Sequence, residues 1–169
     1  MSKSYNYIMR EWLYHSDCSL YALVDGLQFE RHFRYELETS NYECYPFFDT
    51  YPDSKIAFAG PWIFKLNSSE VYRAKLAELE TKYPSVSWLL SPLDPETLLL
   101  RFKNFSTIEL PNGKCALFRF YDPRVLKNLT FWLGVSDCFR LIQDMRNWVF
   151  TVDDEVFDLK IEVDKHPFD

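Results

Sequence analysis

Glycine is scarce in this chain. Its 169 residues hold four (Gly26, Gly60, Gly113 and Gly134), and none stands in a GxxxxGK or GxGxxG loop. Backbone cradles for phosphate of those kinds are therefore not encoded. Histidine is scarcer still: His15, His32 and His166. None accompanies a Gly-x-Ser-x-Gly nucleophile elbow, and each reads as a surface residue. The four cysteines (Cys18, Cys44, Cys115, Cys138) are widely spaced, without CxxC or zinc spacing, so reduced, buried thiols are expected and no metal site. No block of lysine and arginine occurs, and the net charge is −6, from 25 acids against 19 bases. That argues against nucleic acid or an anionic membrane as the main partner. No run of 18 apolar residues occurs, and Met1–Tyr5 leads into polar and aromatic sequence instead of an apolar signal segment, so a cytoplasmic protein without membrane insertion is expected. Repeats, low-complexity tracts and linkers are missing as well, which leaves one domain over residues 1–169. No cofactor is implied.

Aromatic residues, by contrast, are abundant: 15 Phe, 11 Tyr and 5 Trp, or 18% of the chain. Rings must supply much of the core, and some are expected to be kept on the surface for a protein partner, because Tyr and Trp anchor interfaces.

The pattern of apolar residues divides the chain into alternating elements. Residues 4–15 read as a helix, Ser19–Asp25 as a buried strand, 27–39 as an amphipathic helix, and Tyr42–Phe48 as a second strand. Pro52–Ala59 reads as a short helix or turn and Trp62–Leu66 as a third strand. Asn67 and Glu70 are placed as cap and reciprocal partner of a helix that Pro84 ends. Val86–Leu90, a helix capped by Asp94-Pro95, and Thr107–Leu110 follow. Asn112-Gly113 suits a type I′ hairpin turn into Cys115–Tyr121. Ala116, Phe118 and Phe120 are expected on one face of that strand, and Leu117, Arg119 and Tyr121 on the other. Asp122-Pro123 starts a helix that Gly134 breaks, and Cys138–Met145 continues as another. Asp153-Asp154 turns Trp148–Val152 back on an alternating tail strand, Val156–Val163. Strands alternating with helices predict an α/β domain: a mixed, mostly parallel sheet with flanking helices and antiparallel hairpins late in the chain.

Three features carry possible function. Arg119, set in an apolar strand, must either pair with a carboxylate, Asp25 or Asp122, or reach water, and a structural ion pair of Arg119 with Asp25 is expected. Asp25, Asp49 and Asp122 end predicted strands; were those strands parallel, the carboxylates could meet and hold Mg²⁺, which makes a small metal-dependent hydrolase the alternative reading. Asp122, Arg124 and Trp132, helped by Trp62 or Trp148, form a candidate partner surface at the Asp122–Trp132 junction. Trp132 could instead be plain core beside Leu129 and Leu133, in which case the tail strand edge becomes the better docking candidate.

Phe118-Arg119-Phe120-Tyr121-Asp122-Pro123-Arg124-Val125-Leu126 resembles the signature of a bacterial family of type VI secretion effector chaperones, or adaptors. Tyr21–Asp25, Phe47-Phe48-Asp49 with Ala59–Leu66, and Leu89-Leu90-Ser91-Pro92 resemble further family blocks in the family's order, over roughly residues 19–126. The loop after Asp49 lacks the family's turn, and the helix and hairpin of residues 135–169 match loosely. The resemblance implies no catalysis. It implies an adaptor that binds a toxin effector in the producing cell and helps load it onto the spike protein at the tip of the secretion tube. An orphan structural subunit of the secretion machine is a further possibility.

Overall fold

The structure is a computed structural model that describes residues 1–39, 43–50 and 53–159. The described residues form eight strands and six helices. They are α1 (Lys3–Trp12), β1 (Ser19–Asp25), α2 (Gly26–Phe33), β2 (Cys44–Pro46), a 3₁₀ segment (Asp53–Ala59), β3 (Pro61–Lys65), α3 (Glu70–Glu80) and β4 (Val86–Ser91). The second half holds α4 (Pro95–Asn104), β5 (Thr107–Glu109), β6 (Cys115–Leu117), α5 (Pro123–Leu126), α6 (Leu129–Ile142), β7 (Asn147–Val152) and β8 (Glu155–Asp158). Six strands form one sheet in the order β2-β3-β1-β4-β7-β8, and β5-β6 form a separate ribbon.

Every pairing in the main sheet is antiparallel, which corrects the expected mostly parallel arrangement. The registers show why. Asp25 at the end of β1 faces Pro61 at the start of β3, and Val24 faces Val86 at the start of β4. The crossovers β1-α2-β2 and β3-α3-β4 do join strands of like direction. In each, however, a strand of opposite direction lies between the two. Helical alternation in a sequence reports the crossover but not the strand that fills the gap.

Both faces of the sheet are covered, so β1 and β4 are buried almost throughout. Leu20, Ala22 and Val24 face one side with Trp62, Phe64 and Trp88, packed beneath α1, α2 and α3. Tyr21 and Leu23 face the other with Trp148 and Phe150, packed beneath α4, α5 and α6. The alternation of period two is present, but with both faces dry it reads as a continuous apolar run.

Several boundaries differ from the sequence reading. α2 stops at Phe33, with Arg34 in the left-handed region at φ 63°, instead of running to 39. Ser69, not Asn67, caps α3, while the Asn67 side chain accepts from the Leu20 amide at 3.1 Å. The Asn112-Gly113 loop has positive φ at Gly113 alone (75°), and Leu110 pairs with Lys114 around three residues, so it is not a type I′ turn. Strand β6 ends at Leu117, and Phe118, Phe120 and Tyr121 then all turn into the same core. The helix expected from Pro123 to Leu133 is interrupted at Lys127-Asn128. Gly134 (φ 75°, ψ 165°) kinks α6, in a backbone region essentially confined to glycine. Asp153 and Asp154, both at positive φ, turn β7 into β8. The tail strand is seen as Glu155–Asp158, and its expected continuation from residue 160, like Tyr42, lies outside the described residues. Cys115 is exposed, against expectation, while Cys18, Cys44 and Cys138 are buried thiols. No helix among the described residues is long and apolar enough to cross a membrane.

Candidate functional site

The end of β1 and the start of α5 bring two carboxylates to one edge of the sheet. Asp25 caps α2, its Oδ1 accepting from the amides of Leu27 (3.0 Å) and Gln28 (3.3 Å). Asp122 caps α5, its Oδ1 accepting from the Arg124 amide at 2.9 Å. An aspartate satisfies orphan amides of this kind at a helix start, which is why the chain places one at each junction. Both residues are buried.

Each carboxylate also holds an arginine. Arg119 Nη2 stands 3.4 Å from Asp25 Oδ2, with the guanidinium carbon 5.5 Å from the centre of the Tyr121 ring. Arg124 grips Asp122 with both arms, Nε to Oδ1 at 3.0 Å and Nη2 to Oδ2 at 2.7 Å. That fork geometry is the strong form of an ion pair. Burial pushes the Asp25 carboxyl above its ordinary value and the nearby Asp122 charge adds to this, while the two amides and Arg119 oppose it. The arrangement keeps anions inside and cations outside, since the Arg119 and Arg124 side chains are 53% and 66% exposed. It presents two guanidinium groups to solvent, each tied to a buried carboxylate.

The exposure of Arg119 sets the energetic expectation for it. Full burial would make removal of one partner cost about 3–5 kcal/mol. Here Asp25 keeps two amide donors and the arginine is half in solvent, so Arg119→Ala is expected to lower stability by about 1 kcal/mol. Chemical denaturation of the two proteins measures this directly, and a loss near the buried-pair range would mean that Arg119 is far less solvated than the geometry shows.

The three aspartates of the hydrolase reading do not converge. Asp49 pairs with Lys103 Nζ at 2.6 Å, and Asp25 and Asp122 are occupied as described. Among the described residues no group of three His, Cys, Asp or Glu side chains could hold a metal ion.

The partner surface is rearranged too. Trp62 is only 1% exposed, packs on the α1–α3 side of the sheet, and donates its indole N–H to the Ala57 carbonyl at 2.8 Å. It therefore lies away from α5 and α6 and cannot contribute to that surface. Trp148 is likewise core, with Nε1 donating to Ser87 Oγ at 2.9 Å. Asp122 acts from beneath, through Arg124. Trp132, however, is 52% exposed, and Phe131 beside it is 79% exposed. Their rings meet edge to face at 5.1 Å. Sequence reading singled out Trp132 but passed over Phe131. The signal was available: two residues after the inward Leu129 is about 200° around a helix, on the opposite face.

At the same end of the sheet a cleft of about 500 Å³ is lined by Ser2, Lys3, Glu80, Lys82, Arg124 and Thr151, among others. The Glu80 carboxylate accepts from the Ser2 and Ser4 hydroxyls and from Trp88 Nε1, all of them neutral donors. It thereby ties the start of α1 to α3 and β4. Burial raises the Glu80 pKa above its ordinary 4.5, against the effect of those hydrogen bonds. A raised acid binds its proton more tightly folded than unfolded, so its stabilising contribution is full below the ordinary value and is lost as pH rises through the folded value. Glu80→Gln removes that titration. The melting temperature of the unsubstituted protein is expected to fall relative to the Gln variant as pH rises above the ordinary carboxyl value of 4.5. A difference that stays constant with pH would show that Glu80 is not perturbed.

No curated protein and no solved structure matches the chain. A family model does match, over residues 20–132, a span that begins in β1, takes in both carboxylate–arginine pairs and ends at Trp132. Covering more than half of the chain, that match places the protein in the family described as a domain of unknown function (DUF4123).

Proposed function

We propose that this protein is a non-catalytic adaptor of a bacterial type VI secretion system. It works in the cytoplasm of the producing cell, binds a toxin effector, and helps load it onto the spike protein at the tip of the tube. The blocks through residues 19–126 that resemble effector chaperones support this reading, and the family match spans the same stretch. The observation that carries it is the Phe131–Trp132 pair. The chain buries Trp62, Trp88 and Trp148 almost completely, yet leaves these two rings in solvent. Tryptophan and other aromatic residues are enriched among binding hot spots.

Deleting the gene in its host tests the proposal. The toxin encoded beside it should no longer be released, while the secretion tube still assembles and releases its shaft subunit. Undiminished toxin release from the deletion strain would overturn the adaptor reading.

A further inference from the structure

We infer that the outer edge of β6 receives an extended segment of the toxin, which adds to the β5–β6 ribbon as a third strand. This rests on the adaptor reading and names the form in which the partner is taken.

The ladder fixes which backbone groups are free. The Leu110 amide donates to the Lys114 carbonyl and the Phe118 amide to the Ser106 carbonyl, each at 2.7 Å. In an antiparallel pair, residues that exchange hydrogen bonds recur at every second position. Ile108 and Ala116 lie midway between those two bonds and therefore bond each other. Thr107, Glu109, Cys115 and Leu117 then point their N–H and C=O groups away from the ribbon. These groups meet no partner among the described residues. All four residues are exposed, so both edges open to solvent.

An open edge specifies what covers it. Its donors and acceptors alternate at strand spacing, and an extended backbone is what matches them. Two strands alone form a marginal unit in water, and a third strand is the addition that strengthens it.

Side chains select β6 over β5, and the toxin over a second copy. β6 carries Leu117, 45% exposed, and the exposed Cys115 thiol, which give an incoming strand apolar surface. β5 offers Thr107 and Glu109 instead. Residues 113–120 hold Lys114 and Arg119 and no acid. Arg119 is held by Asp25, whereas Lys114 is in no ion pair among the described residues. Pairing β6 with its own copy would gather two of each cation at a strand three residues long, with no acid of either strand between them. A toxin strand with a carboxylate beside its apolar positions meets Lys114 favourably. The root of the ribbon also touches the helix that bears Phe131 and Trp132: the Arg140 guanidinium carbon stands 5.9 Å from the centre of the Phe105 ring.

The test is amide hydrogen exchange, followed by NMR, of the unsubstituted chain alone and bound to the full-length toxin encoded beside this gene, inactivated in its active site. The Cys115 and Leu117 amides are expected to slow by at least about tenfold on binding, and those of Thr107 and Glu109 to stay as they were. Unchanged exchange at Cys115 and Leu117 in the bound chain overturns this inference and leaves the adaptor reading standing. Leu117→Pro supplies a second arm. Proline there removes an N–H that the ribbon does not use, and Ala116 before it is already extended. Thermal unfolding checks its fold, and the exchange arm does not depend on it. By isothermal titration Leu117→Pro should bind the toxin at least about tenfold more weakly, while Leu117→Val, which keeps the amide, should change affinity by less than about threefold. Equal losses in the two variants would assign the contact to the side chain, and unchanged binding by the proline variant would place the toxin elsewhere; either overturns the inference. No binding by the unsubstituted chain overturns both readings. A self-associated chain that becomes monomeric in Leu117→Pro would assign the edge to a second copy and also overturn the inference.

Discussion

Gly26→Ala is expected to prevent stable folding. Gly26 joins β1 directly to α2, and its amide donates to the Gly60 carbonyl at 2.9 Å. A Cβ there would stand 2.1 Å from the Phe58 carbonyl oxygen, 2.6 Å from that of Gly60 and 2.9 Å from Trp62 Cδ1. Two of these neighbours are backbone, fixed by the 3₁₀ segment and the start of β3, so neither can swing aside as a side chain would. The strand-to-helix turn would have to separate from the sheet, taking Asp25 and its helix cap with it. A cost above about 4 kcal/mol places the change among the exceptional single substitutions. Gly113→Ala is the informative contrast. Its Cβ would meet nothing within 4 Å, and only the positive φ of 75° opposes it, a penalty of about 1 kcal/mol. Denaturant unfolding of both variants separates steric from conformational cost. Equal midpoints would show that the Gly26 junction is not close-packed.

Phe120→Ala is expected to cost about 3–5 kcal/mol, the range for truncating a large buried ring. Phe120 is fully buried in an irregular segment, yet its ring lies 5.5 Å from Phe102, 6.0 Å from Phe118, 6.2 Å from Phe47 and 6.3 Å from Trp148. It therefore ties a loop to α4 and to β7 at once. The truncation should also loosen α5, which follows directly. Phe120→Leu keeps most of the volume and should cost much less. Two variants of similar, small effect would mean that the ring cluster is not what fixes this segment.

These two positions also mark what could be read without coordinates. The aromatic content of the chain pointed to a core made of rings, and Phe120 sits at its centre. The alternation through Cys115–Tyr121 predicted a strand whose residues divide between two faces; instead three of the four residues after Leu117 enter one core, because the chain has left the ribbon and is turning toward α5. Period-two spacing cannot reveal where pairing stops. The β1 span was legible to the residue, as a short apolar run bounded by Gly26. The sheet direction was not, because the strand that separates β1 from β2, or β3 from β4, is set by tertiary packing. The Asp25 and Asp122 caps were legible from local chemistry, and so was a carboxylate near Arg119. How far Arg119 reaches solvent was not, since exposure depends on what else packs there. Trp62 misled for the same reason: only the register that sets it opposite Val24 puts it on the far face.

Affinity purification of the full-length chain from its own host, with the retained proteins identified by mass spectrometry, tests most directly whether this is an adaptor. The unsubstituted chain should retain the toxin encoded beside it together with the spike-tip protein, and Phe131→Ala/Trp132→Ala should lose the toxin. A folded, abundant chain that retains neither protein would contradict the proposed function.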